Sequence, residues 1–141
     1  MDPHDEPLWL HGMADAVTLA FVLRRRFRRG YGVAVLDHCD LVLQLTFFAG
    51  RRHSIETAVA WAACFATDDP RAERVILYST MPGGVADEVR EADLETLRRA
   101  RAELADAGVL LVDWLQCDQK HIRSLDYACD GEGWQRAASL A

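Results

Sequence analysis

The stretch Val75-Ile76-Leu77-Tyr78-Ser79-Thr80-Met81-Pro82 decides the architecture. Its first four residues form a short apolar run suited to an interior strand, and the breakers Asp68, Asp69 and Pro70 precede it. A loop rich in turn residues follows. Beyond that loop Leu94, Leu97, Ala100, Leu104 and Ala107 make one apolar stripe at helical spacing, while Glu95, Arg99 and Glu103 mark a solvated face. Gly108 ends this helix. A strand entering a helix that returns to a further strand at 109–116 is the signature of a layered α/β arrangement.

Working outward, Ser54 can cap a helix that runs through Phe65, because its hydroxyl satisfies an otherwise unpaired backbone N–H. That helix is apolar almost all round and is expected to be buried. Residues 31–37 and 41–48 read as a hairpin around His38, Cys39 and Asp40. Upstream, Met13, Ala16, Ala20, Leu23 and Phe27 recur at helical spacing, with Gly30 as the expected stop and arginines near the C-terminal dipole. Strands at 109–116 and 121–125 flank a tight turn at 117–120, and a short helix is expected at 134–140. The expected order is α-β-β-α-β-α-β-β, an α/β (α+β) fold with a mixed sheet flanked by helices. It divides into an N-terminal extension (1–12), one domain (13–125) and a C-terminal tail (126–141).

A chain of 141 residues, half of them hydrophobic, can bury one core. The longest apolar runs, 58–66 and 109–115, fall short of the ~18–20 residues that cross a bilayer, so no membrane association is expected. An acidic start without an apolar leader makes a cytoplasmic location the expectation, and the four cysteines are expected to be reduced thiols. The net charge of −6 disfavours nucleic acid as a general partner. Arginine is nevertheless concentrated at Arg24, Arg25, Arg26, Arg28 and Arg29, which leaves 11 basic residues against 22 acidic ones elsewhere. This cluster is either a solvated helix face or a contact for an anionic partner, with Arg24, Arg25, Arg28 and Arg29 as its candidate residues.

From residue 30 to 125 the order of segments resembles the RadC-like branch of the JAB/MPN (JAMM) domain family. Val33-Ala34-Val35-Leu36-Asp37 with its hairpin resembles the family's first strand pair, and Gly50 followed by the helix from Ser54 its Gly-then-helix segment. The opening stretch, with Gly84, Asp93, Leu94 and Leu97, resembles the strand that leads into His-x-His-Pro, a glycine loop and a Ser-x-x-Asp helix start. Leu110 to Gln116 and His121-Ile122-Arg123-Ser124-Leu125 resemble the closing strand pair. The resemblance implies a cytidine-deaminase-like α/β layout. In active members two histidines and an aspartate hold zinc, which lowers the pKa of its water toward ~7, and a glutamate activates that water.

Here Ser79 and Met81 stand at the histidine positions, Asp93 at the aspartate, and no carboxylate at 29–31 matches the glutamate. Trp114 stands where such sequences commonly have histidine. The chain therefore reads as a degenerate member without catalytic residues, metal or cofactor, in which Ser79, Met81 and Asp93 mark the former metal site. The function implied is a protein-interaction or regulatory module whose partner is a protein, either a homologous chain or a second copy in a homo-oligomer. The alternative is a zinc-dependent isopeptidase with non-standard ligands among His38, Cys117, His121 and Asp93. Weaker still is DNA-repair-associated nucleic-acid binding through the arginine cluster. Cys117 and His121, with His38 and Cys39, match no recognised zinc spacing and read as turn residues. Gly83-Gly84 is too short for a phosphate loop, and neither Ser54 nor Ser79 has the partners of a nucleophile.

Overall fold

Along the chain, a computed structural model describing residues 7–85 and 88–139 contains α1 (Met13–Arg26), β1 (Gly30–Leu36), β2 (Val42–Ala49), α2 (Ile55–Asp68), β3 (Arg74–Thr80), α3 (Glu91–Asp106), β4 (Leu110–Cys117), β5 (Ile122–Ser124), α4 (Leu125–Cys129) and α5 (Glu132–Ser139). The strands form one five-stranded mixed sheet of order β2-β1-β3-β4-β5. β1 is antiparallel to β2 and β3, β3 is parallel to β4 across the α3 crossover, and β5 is antiparallel to β4. Leu140, the expected end of the terminal helix, lies outside the described residues, as do residues 1–6 of the expected N-terminal extension.

Both faces of the sheet are covered, which is why the central strands read as continuous apolar runs rather than alternating ones. β3 is buried along its entire length. Val33, Val35, Val75 and Leu77 point into the core shared with α2 and α3, while Ala34, Leu36, Ile76 and Tyr78 point toward α1 and α5. The Tyr78 hydroxyl donates to the Ala16 carbonyl at 3.1 Å, satisfying the polar end of a buried ring.

Two expectations are corrected. α1 stops at Arg26, not at Gly30: Phe27 takes extended angles and its ring stacks on Phe47 with centroids 4.0 Å apart. Gly30 opens β1 with φ 151°, and a Cβ there would lie 2.4 Å from the Phe48 carbonyl oxygen, so the glycine serves close strand packing rather than helix termination. α2 is capped by Ser54 as expected, yet Ala60 and Cys64 are exposed, because only one side of the helix meets the sheet and α3.

The C-terminal segment is fastened to the sheet by buried polar groups. Asp113 accepts from the Ser124 hydroxyl at 2.6 Å, the Asp126 N–H at 3.0 Å and the Trp134 indole at 2.7 Å. Asp126, fully buried, pairs with Arg101 of α3 and accepts from the Gly133 N–H at 2.9 Å. Arg74, also buried, pairs with Asp40 of the β-hairpin turn and donates to the Ala137 carbonyl at 3.0 Å. At the other end, Trp9 bridges Leu41 and is 42% exposed, so this tryptophan is not core.

Candidate functional site

At the end of β3 the sheet presents a row of aromatic and polar side chains at one level. In register across it stand Phe48 of β2, Tyr31 of β1, Ser79 of β3, Gln116 of β4 and Arg123 of β5. Ser79 belongs to the strand itself, 1% exposed, and its Oγ accepts the Trp114 indole N–H at 3.0 Å. Asp93, in the first turn of α3, accepts from the Gln116 side-chain amide at 3.0 Å, and the Gln116 oxygen accepts from Arg123 at 2.8 Å. Ser79 and Asp93 are thus each held in internal hydrogen bonds. Tyr31 lies within electrostatic reach of both Glu56 and Asp93; burial and these carboxylates raise its pKa, and Arg29 opposes them.

Met81 leaves the strand, its N–H donating to the Cys117 carbonyl at 2.9 Å, and its half-buried side chain lines a cavity of about 420 Å³. Arg29 before β1, Arg51 and His53 after β2, Thr80 at the end of β3, and Arg90 at the start of α3 meet around this cavity. A larger cleft of about 510 Å³, between the end of α3 and α5, contains none of the residues at the β3 terminus.

The loop beyond Met81 is held by Asp118. This carboxylate accepts from the backbone N–H of Val85 at 2.8 Å and of Lys120 at 2.7 Å. Burial raises its pKa, but the N–H groups of Val85, Lys120 and His121, with the His121 ring, outweigh that and hold it well below the carboxylate range. Arg24 reaches the Asp118 carbonyl at 3.5 Å and covers the Phe21 ring at 4.4 Å.

The sequence-level arginine cluster is divided by the fold. Arg24 is directed to the Asp118 turn and Arg29 to the cavity, while Arg25, Arg26 and Arg28 are exposed. It is one patch in sequence and three environments in space, because α1 ends at Arg26 and the chain then extends.

The alternative ligand set does not converge. His38 follows the Leu36 end of β1, which aligns with Arg74 and Leu110, whereas Cys117 aligns with Thr80 and Gly30 at the opposite end. Six strand steps along β1 and β3, roughly 20 Å, separate those ends. Cys117 is buried and its thiol is pushed up to about 12 by burial, with Arg24 lowering and Asp118 raising it, so it is protonated at neutral pH. Ligand atoms of Asp37, His38 and Cys39 lie within 4.8 Å of one another. The Asp37 carboxylate there closes the hairpin turn by accepting the Cys39 and Leu41 N–H groups at 2.8 and 3.0 Å.

Comparison with protein-family models gives no match for this chain, and comparison with curated proteins gives none. No described helix is long and apolar enough to cross a membrane.

Sequence reasoning missed Arg51, His53, Thr80 and Arg90 as neighbours, and it missed Gln116 as the partner of Asp93 and Arg123 as the partner of Gln116. The first four are scattered single residues brought together by three different element ends. Their only local trace is the basic run Arg51-Arg52-His53 after Gly50.

Proposed function

We propose that this chain is a RadC-like JAB/MPN domain whose metal centre has been replaced by a hydrogen-bonded core, serving as a protein-interaction or regulatory module of the cytoplasm rather than as a hydrolase. The observation that carries the reading is the Ser79–Trp114 hydrogen bond at 3.0 Å. Both residues stand at positions where the resembling family has histidine, and in this chain they satisfy each other. A zinc ion needs three or four nitrogen, sulfur or carboxylate ligands in tetrahedral array. Here a serine hydroxyl engaged by indole, a thioether at Met81 and a carboxylate engaged by Gln116 are offered. Nucleophilic chemistry through Cys117 is equally disfavoured, since its thiol is protonated.

The outer face of α1 supports the docking side of the reading. Phe21 and Val22 are 42% and 48% exposed, and Arg25 and Arg26 stand one turn further along the same face. Apolar side chains rimmed by cations suit a protein surface that carries carboxylates, and a second copy of this acidic chain qualifies.

The test is metal analysis of tag-free protein, wild type and Asp93→Ala, after incubation with zinc, alongside sedimentation over a range of concentrations. Zinc far below one ion per chain is expected, together with association that weakens in Phe21→Glu and in high salt. Stoichiometric zinc that disappears with Asp93→Ala would overturn the metal-free reading. A chain that stays monomeric throughout would remove self-association from it.

A further inference from the structure

The geometry points to a binding site for a small phosphate ester, of mononucleotide or sugar-phosphate size, in the cavity bounded by Arg29, Arg51, Arg90, His53 and Thr80. This goes beyond the interaction reading and rests on it only in taking the cleft to bind without a metal.

Three observations carry it. First, arginines from three separate element ends line one cavity, and no carboxylate is among the described residues that line it. Among the described residues none of the three arginines is in an ion pair, whereas Arg71, Arg74, Arg98 and Arg101 each hold a carboxylate. In a chain of net charge −6, three arginines with no carboxylate among the described lining residues favour an anion locally, against the overall charge. Arginine is also the side chain whose planar fork matches phosphate oxygens in pairs.

Second, Thr80 lines the same cavity at 4% exposure, and its Oγ1 is buried without a hydrogen-bond partner among the described residues. A buried hydroxyl without a partner costs free energy, and because this oxygen is closed to solvent in the empty cavity, a turn of the side chain on binding would let a phosphate oxygen accept its proton.

Third, the volume of about 420 Å³ lies in the range of small-molecule sites and exceeds what a lone phosphate ion fills. Tyr31, His53, Met81 and Pro82 supply ring and apolar surface on its walls for an organic moiety. Phosphate on the arginines and the organic part against these walls is therefore the arrangement that uses the whole lining.

The experiment is calorimetric titration of the full chain, chelator-treated and in phosphate-free buffer, with adenosine monophosphate, inorganic phosphate and adenosine as probes. Adenosine monophosphate is expected to bind one to one and more tightly than inorganic phosphate, while adenosine shows no binding. Arg51→Gln and Arg90→Gln are each expected to weaken it by about tenfold or more, since each removes a charge-assisted hydrogen bond from an exposed position whose loss leaves folding intact by circular dichroism. Thr80→Val is expected to weaken binding while leaving the melting temperature of the free protein unchanged or raised, because the lost hydroxyl has no partner in the empty site. No binding of adenosine monophosphate would overturn the proposal. So would affinity equal to that of inorganic phosphate, affinity untouched by either arginine substitution, or tighter capture of a single-stranded oligonucleotide. Zinc found on the same preparation before chelation would sink the metal-free reading alone; zinc-free protein that ignores the probes would sink this site alone.

Discussion

Ser79 shows how a single residue changes meaning once its neighbour is known. A serine hydroxyl in a buried strand end is costly unless it is bonded. Trp114 supplies the donor and brings an indole that fills the space beside it. Trp114→Phe removes that donor and strands the Ser79 oxygen, so a loss of about 1–3 kcal/mol of stability is expected in denaturant unfolding. The cost should shrink in the Ser79→Ala background; equal costs in both backgrounds would mean that the bond contributes nothing. Asp93 follows the same logic. Its place in the first turn of α3 suits the helix dipole, as sequence reasoning expects, but the Gln116 amide is a long-range partner that no local signal announces.

At the scale of elements, α5 is the instructive case. Eight residues form a marginal helix on their own, and packing has to supply its stability. Asp113 and Asp126 provide the anchoring acceptors, and Gly133 permits the close approach: a Cβ there would fall 1.8 Å from the Val112 carbonyl oxygen. Gly133→Ala is therefore expected to push α5 off β4 and cost about 3 kcal/mol. Gly83→Ala, with open space around its Cβ, should change the denaturation midpoint little, within about 0.5 kcal/mol. Equal effects of the two would refute this account of α5. The amphipathic stripe of α3 and the cap of α2 were legible because each depends on residues within a few positions. The end of α1 was not, since Phe27 abandons the helix for a ring stack with Phe47, twenty residues away in β2.

For the molecule as a whole, the buried carboxylates set opposite responses to acid. Asp118 has its pKa lowered in the fold, so its contribution is present above the unfolded value of about 3.9 and lost as pH falls through the folded one. Asp113 is the reverse: burial raises it, against hydrogen bonds from Ser124, Asp126 and Trp134, and its penalty is relieved rather than deepened in acid. Stability should accordingly begin to fall below about pH 4, and Asp118→Asn should flatten that fall while lowering stability at neutral pH. An acid limb identical in wild type and Asp118→Asn, followed by circular dichroism, would show that the turn it holds is not part of the cooperative unit.

The sequence by itself determined the succession of strands and helices from α1 to β5, the interior place of β3 and the Ser54 cap. These follow from apolar periodicity and residue chemistry, which act over a few positions. Only the tertiary structure decided that Arg29, Arg51 and Arg90 share one cavity, that His38 and Cys117 lie at opposite ends of the sheet, and that Ser79 answers Trp114. The reason is physical: strand register and crossover bring distant residues to the same sheet end, and neither leaves a trace in the spacing of the residues it joins.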